Sequence, residues 1–209
     1  MHTPQGANDK GANDIRLYRH DAFLDDATCT ELIRNAHRAQ ALPAKVIKGA
    51  RTETDEAVRR TKTVRLEAAF LRHLEQLYTS ILPLLEAYFE ISLHAFEPPQ
   101  LLRYGRGDFF VAHQDSGHGP EHPDLIQRRA VSTVLFLNDQ SLSAGPHVFG
   151  GGTLTLLDPR QAVRMPVRPQ TGQLVAFPSH TFHQVTPVQH GERFTIVTWY
   201  NSSETTRKA

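Results

Sequence analysis

Phe109-Phe110-Val111-Ala112-His113-Gln114-Asp115 reads as a strand that ends by offering an imidazole and a carboxylate at i and i+2. On an extended chain those two positions face the same side of a sheet. A second imidazole, His183, lies far downstream in Thr181-Phe182-His183-Gln184-Val185-Thr186, which also alternates like a strand. Two histidines and one carboxylate bind one face of a metal and leave positions open, the arrangement that suits Fe(II) in oxygen-activating enzymes. The chain carries 12 histidines, so other pairings compete: His118 with His122, and His180 with His183. On a strand i and i+3 face opposite ways, which separates His180 from His183. His118, His122 and His147 fall in Gly/Pro-rich segments and read as loop residues.

Outward from this stretch, the chain after Ser92 breaks into short runs rich in β-branched and aromatic residues, punctuated by Gly and Pro. Strands are expected at 94–97, 100–104, 109–114, 130–137, 152–157, 162–168, 173–177, 182–188 and 193–200. Many short strands preceded by helices predict an α+β fold: a double-stranded β-helix (jelly roll) with N-terminal supporting helices packed on one sheet. Arg193 follows His183 across a turn-like segment, so two adjacent antiparallel strands would bring a guanidinium toward the same cavity. Its planar fork of donors suits one carboxylate of a small acid.

Upstream, Asp25 or Asp26 is a candidate N-cap for a helix reaching about Ala41, with Cys29, Leu32, Ile33 and Ala36 at helical spacing. A second helix is expected over 67–90, kinked or divided at Pro83. Between them, residues 43–65 hold seven Lys or Arg against three acids. That segment reads as a solvated loop, or as a flexible loop closing over a substrate. Residues 1–14, with a duplicated Gly-Ala-Asn-Asp, read as a mobile tail, and 15–203 as one domain whose jelly-roll core spans about 92–201.

Lys+Arg 23 against Asp+Glu 22 leaves a formal charge of +1, which gives no electrostatic argument for a nucleic-acid or anionic-membrane partner, and neither is expected. One cysteine permits no internal disulfide, and neither a signal segment nor a long apolar span is evident, so a cytoplasmic protein is expected.

The C-terminal half resembles the iron- and 2-oxoglutarate-dependent dioxygenases, in particular the prolyl 4-hydroxylase-like branch. The resemblance covers about 100–201. It runs through Leu101-Leu102-Arg103-Tyr104-Gly105, Phe110 to Asp115, Leu135-Phe136-Leu137-Asn138, Gly151-Gly152-Thr153-Leu154 and Gly172 to Pro178. It continues in His183-Gln184-Val185-Thr186-Pro187-Val188 and Arg193-Phe194-Thr195-Ile196-Val197-Thr198-Trp199. It implies that His113, Asp115 and His183 are Fe(II) ligands and that Arg193 partners the distal carboxylate of 2-oxoglutarate. Tyr104 would line the cosubstrate pocket, and Arg129 and Trp199 would lie beside the substrate.

The chain departs from the pattern at Phe136, where members of that branch often place a tyrosine on the cosubstrate carboxylate; Thr195 or another polar group is expected to stand in. The segment from Gln140 to Gly150 is long for the family and reads as a lid. Asp115 favours hydroxylation over halogenation, since related halogenating enzymes have a small residue there.

The expected partners are 2-oxoglutarate, O2 and a protein, peptide or small-molecule substrate, with ascorbate as a candidate reductant. A monomer or homodimer is expected. The expected activity is hydroxylation of a prolyl residue, with succinate and CO2 as co-products. Alternatives are a free amino acid or natural-product intermediate as substrate, and a non-catalytic metal-binding jelly-roll module. The last is weakened because structural zinc usually takes four ligands, and Cys29 is far from the cluster in sequence.

Overall fold

Asp25 caps the first helix, accepting from the Thr28 backbone N–H at 2.9 Å and from its hydroxyl at 2.7 Å. This satisfies one of the helix's orphan donors and fixes where α1 begins. The computed structural model describes residues 15–48, 51–117 and 122–202, so the expected N-terminal tail and His118 lie outside the described residues. In chain order the elements are β1 (Tyr18–His20), α1 (Asp26–Arg38), β2 (Ala41–Pro43), β3 (Val46–Lys48), β4 (Arg51–Glu53), β5 (Arg59–Arg60), β6 (Lys62–Val64) and α2 (Ala68–Phe89). They continue as β7 (Leu93–Phe96), β8 (Gln100–Tyr104), β9 (Phe109–His113), α3 (Asp124–Arg128), β10 (Arg129–Phe136), β11 (Asp139–Gln140) and β12 (Val148–Gly151). The last are β13 (Leu154–Leu157), β14 (Arg164–Pro166), β15 (Leu174–Pro178), β16 (Phe182–Val185), β17 (Val188–His190) and β18 (Arg193–Ser202).

The major sheet runs β1-β15-β10-β18-β8-β6-β2, with β7 also on β18; the minor sheet runs β14-β13-β16-β9-β5. The strands are antiparallel throughout both sheets, and the fold is a jelly roll. β18 shows how the pleat sorts side chains. Phe194, Ile196 and Tyr200 join the cluster under the helices, packed with Leu32, Leu74 and Tyr78. The alternate positions Arg193, Val197 and Trp199 line the cavity instead. β10 does the same: Leu135 faces the helices, while Val134 and Phe136 join the cluster between the sheets.

Several expectations need correction. The first helix ends at Arg38, and Ala41–Pro43 is strand β2 on the edge of the major sheet. The second helix runs through Pro83 undivided, and Arg16 binds its C-terminal carbonyls at Tyr88 (2.6 Å) and Phe89 (3.2 Å). The basic segment 43–65 is not a loop. It forms a β3–β4 hairpin, while β5 and β6 extend the minor and major sheets at edges that would otherwise expose unpaired N–H and C=O groups.

The run 182–188 divides into β16 in the minor sheet and β17, which pairs with β12. Gln140 to Gly150 is no lid. No residue of it lines the cavity, and Gln140 ties it down by donating to the Gly151 carbonyl at 2.7 Å and the Thr153 hydroxyl at 2.6 Å. The short helix α3 was not legible in the sequence. Among the described residues no helix is long and apolar enough to cross a membrane.

Candidate active site

β9 and β16 lie side by side with His113 opposite His183, and the register shifts between His183 and Val185. Such irregularities re-aim side chains. Asp115 sits just past the end of β9 rather than on it. Its turn is pinned to the end of β15, where the Asp115 and Ser116 N–H groups donate to the Ser179 carbonyl at 2.9 and 3.1 Å. One ligand-type atom from each of His113, Asp115 and His183 lies within 4.8 Å of the others, the one such trio among the described residues. Asp115 Oδ1 is 3.6 Å from His113 Nε2, and Oδ2 is 3.4 Å from His183 Nε2.

The second nitrogen of each imidazole settles its tautomer. His113 Nδ1 lies 2.8 Å from the Val111 carbonyl and His183 Nδ1 lies 2.9 Å from the Thr181 carbonyl. A carbonyl only accepts, so each Nδ1 carries the hydrogen and each Nε2 lone pair is free for a metal. Burial, and then His113, push His183 down to about 4, against the opposing pull of Asp115. Burial pushes the Asp115 carboxyl up, but His183, His113 and the Ser132 hydroxyl outweigh it and hold it below the usual carboxylate range. Ser132 donates to Asp115 Oδ2 at 2.7 Å and shares a hydrogen bond with Ser179 at 2.9 Å. His183 is thus held neutral and Asp115 ionised, the forms in which each binds a divalent cation.

Arg193 enters the same cavity from the major sheet, not from a strand adjacent to β16. It is 2% exposed. Nη1 donates to Thr195 Oγ1 at 3.1 Å, Nε has no partner, and the guanidinium lies 4.9 Å from the Tyr104 ring centroid and 5.2 Å from that of Phe136. Among the described residues no carboxylate pairs with it. Burial pushes its pKa down to about 10, offset in part by Tyr104. A buried, unpaired cation is costly, and an anion in the cavity would relieve it. Gly152 makes the room: it has φ +54°, and a Cβ there would sit 2.9 Å from Val188 and 3.2 Å from Arg193 Cδ.

Arg129 and Trp199 lie on the major sheet with Arg193. Arg129 is engaged by Glu97, with Nη2 donating to Oε2 at 2.7 Å and Nε donating to Oε1. It also donates to the Asp115 carbonyl at 3.3 Å and lies 3.8 Å from the Trp199 ring centroid. Glu97, Ser132 and Ser179 carried no signal in the sequence, because each acts on a residue distant in the chain or through its own backbone. His122, a loop residue as expected, also lines the cavity. The cavity encloses about 550 Å³, more than a five-carbon diacid requires, and the β3–β4 hairpin contributes Val46, Ile47 and Thr52 to its rim.

Residues 99–201 match the 2OG-Fe(II) oxygenase superfamily. A PKHD-type hydroxylase from Shewanella baltica (strain OS185) is 35% identical over 109 residues, which is 51% of this chain and 44% of that protein. The chain thus spans less than half the length of that relative. A Pseudomonas putida prolyl-4-hydroxylase structure superimposes with TM-score 0.64 at 24% identity, covering 91% of this chain and 95% of that one. A Trichoplax adhaerens prolyl hydroxylase, solved with a peptide fragment of the hypoxia inducible factor oxygen degradation domain, gives 0.70 at 18% identity over 90% and 84%. These likenesses establish the fold, and the matched segment contains the His113–Asp115–His183 trio and Arg193. Through residues 99–201, the chain belongs to the 2OG-Fe(II) oxygenase superfamily.

Proposed function

We propose that this protein is an Fe(II)/2-oxoglutarate-dependent hydroxylase acting on a C–H bond of a prolyl residue in a protein or peptide. One observation carries the reading: a metal-ready trio and an unpaired buried guanidinium share one cavity. His113, Asp115 and His183 would hold Fe(II), and the donor set fits that ion. Arg193, helped by Thr195 in place of the tyrosine absent at Phe136, would hold the distal carboxylate of 2-oxoglutarate against Tyr104. When bound, the metal and cosubstrate supply oxygen activation that couples decarboxylation of 2-oxoglutarate, to succinate and CO2, with hydroxylation of the substrate.

The chain's own residues do the rest. The carbonyls of Val111 and Thr181 fix the imidazole tautomers, and Ser132 orients Asp115. Phe110 stacks on the His113 ring at 3.5 Å and Phe177 lies 4.8 Å from the His183 ring, which keeps water from the back of the trio. Trp199, its ring covered on one face by Arg129, walls the substrate side. The prolyl-hydroxylase neighbours, one solved with a peptide, support a polypeptide substrate, as does a cavity larger than the cosubstrate needs.

The test is succinate formation from 2-oxoglutarate by Fe(II)-loaded protein with proline-containing peptides, followed by mass spectrometry for a gain of one oxygen. Peptide-stimulated succinate with an oxygen on proline supports the proposal. Succinate stimulated only by free amino acids would move it to a small-molecule hydroxylase, and none with either would overturn it.

A further inference from the structure

Among the described residues, the cavity wall carries three guanidinium groups and a single carboxylate, Asp115. Two of the three are accounted for: Arg193 by the cosubstrate role proposed above and Arg129 by its paired bonds to Glu97. The third is Arg59, outside the segment that carries the family match. Its Nη1 donates to the Lys45 carbonyl at 3.1 Å, its Nε is buried without a partner, and no acid of the described residues pairs with it. The guanidinium stacks over the Phe110 ring at 4.8 Å, and that ring stacks in turn on His113 at 3.5 Å and 17°. The Phe110 ring therefore touches both this cation and a candidate metal ligand. β5 fixes this arrangement, because Arg59 is the cross-strand partner of Phe110 on β9.

We propose that Arg59 reads a carboxylate on the substrate, making an acid-bearing substrate the preferred class for this site. The inference rests on the functional reading above. A guanidinium held over an aromatic ring is preorganised for a carboxylate, and its buried, unpartnered Nε gains most from an ionised partner. Lys45 adds a second positive charge to the same wall. With Asp115 committed to the metal, no other acid of the described wall residues stands ready for a substrate ammonium, so the wall discriminates by sign. The carboxylate can be that of a small acid or of an acidic side chain beside the reacting residue in a peptide.

The chain has one tryptophan, Trp199, and it lines this cavity, so its fluorescence reports occupancy without turnover. Wild-type, Arg59→Gln and Arg59→Lys proteins, anaerobic with Fe(II), are first titrated with 2-oxoglutarate to verify loading. They are then titrated with two matched pairs: N-acetyl-L-proline against N-acetyl-L-prolinamide, and acetyl-Ala-Pro-Glu-amide against acetyl-Ala-Pro-Gln-amide. In wild type the acid of at least one pair binds about tenfold or more tighter than its amide, as one charge-assisted bond implies. That preference disappears in Arg59→Gln and is partly kept in Arg59→Lys. Preference in the first pair alone identifies a small acid, and in the second a peptide side chain. Equal binding of acid and amide in loaded wild type, or a preference unchanged in Arg59→Gln, overturns the assignment. A wild-type protein that takes up no 2-oxoglutarate overturns the functional reading together with it.

Discussion

Replacing Arg193 by methionine separates the two consequences of burying a cation without a counter-ion. The guanidinium is 2% exposed, and burial pushes its pKa from the ordinary guanidinium range down to about 10. A depressed base is a burden on the fold while it is charged. The burden is fully present below pH 10 and lifts as pH rises toward the unfolded value. Its size is roughly 3 kcal/mol. Methionine keeps the stem packed between Tyr104 and Phe136 but loses the stacking and the Thr195 bond, about 1–2 kcal/mol together. In the absence of 2-oxoglutarate, Arg193→Met is therefore expected to be as stable as wild type or more stable by about 1–2 kcal/mol.

With metal and cosubstrate the order reverses. At a concentration of about 100 times the dissociation constant a ligand stabilises the fold by about 2.7 kcal/mol, and a variant binding about 100-fold more weakly gains only about 0.4 kcal/mol. Urea unfolding at pH 7.5 with and without 2-oxoglutarate reads both effects in one experiment. A variant strongly destabilised without ligand, or one that keeps the full ligand-induced gain, would refute this account of Arg193.

Other perturbations test the surroundings. Ser132→Ala removes the 2.7 Å bond to Asp115 and is expected to weaken Fe(II) binding about 10–100-fold while leaving the unfolding midpoint near wild type, as read by metal titration. Glu97→Ala leaves the Arg129 cation buried and is expected to destabilise by about 3–5 kcal/mol in urea unfolding. Glu97→Leu with Arg129→Met should recover most of that loss, and a double variant no better than the single would contradict a simple ion-pair role. Cys29 is fully buried and its thiol is pushed up to about 12 by burial and then by Asp26 and Asp25. It should react with a thiol reagent only as fast as the protein opens, so rapid labelling of the native protein would contradict this packing.

What the sequence disclosed and what it concealed divide along physical lines. Short-range alternation located the β strands that carry His113, His183 and Arg193, because the period of two is local and survives without knowledge of partners. The strand partners were not local information. Arg193 and His183 looked like neighbours across a turn, yet β17 intervenes and leaves them on opposite sheets facing one cavity. Residues 43–65 read as a basic loop because their charges sit on two-to-three-residue strands, too short to show a pattern; β5 and β6 are ordered by the open edges of the two sheets, and β3 and β4 by each other. Arg59 was one of seven cations there, and its distinction is the Phe110 ring beneath it. Glu97 and Ser132 act through residues distant in sequence, so nothing near them marked their positions.

Iron content after anaerobic dialysis decides whether the side chains of His113, Asp115 and His183 hold a metal. Wild-type protein loaded with Fe(II) is expected to retain one ion per chain in the presence of 2-oxoglutarate, while folded Asp115→Ala and His183→Ala retain essentially none. Undiminished iron in either variant, with its unfolding transition intact, would show that these side chains do not hold the metal.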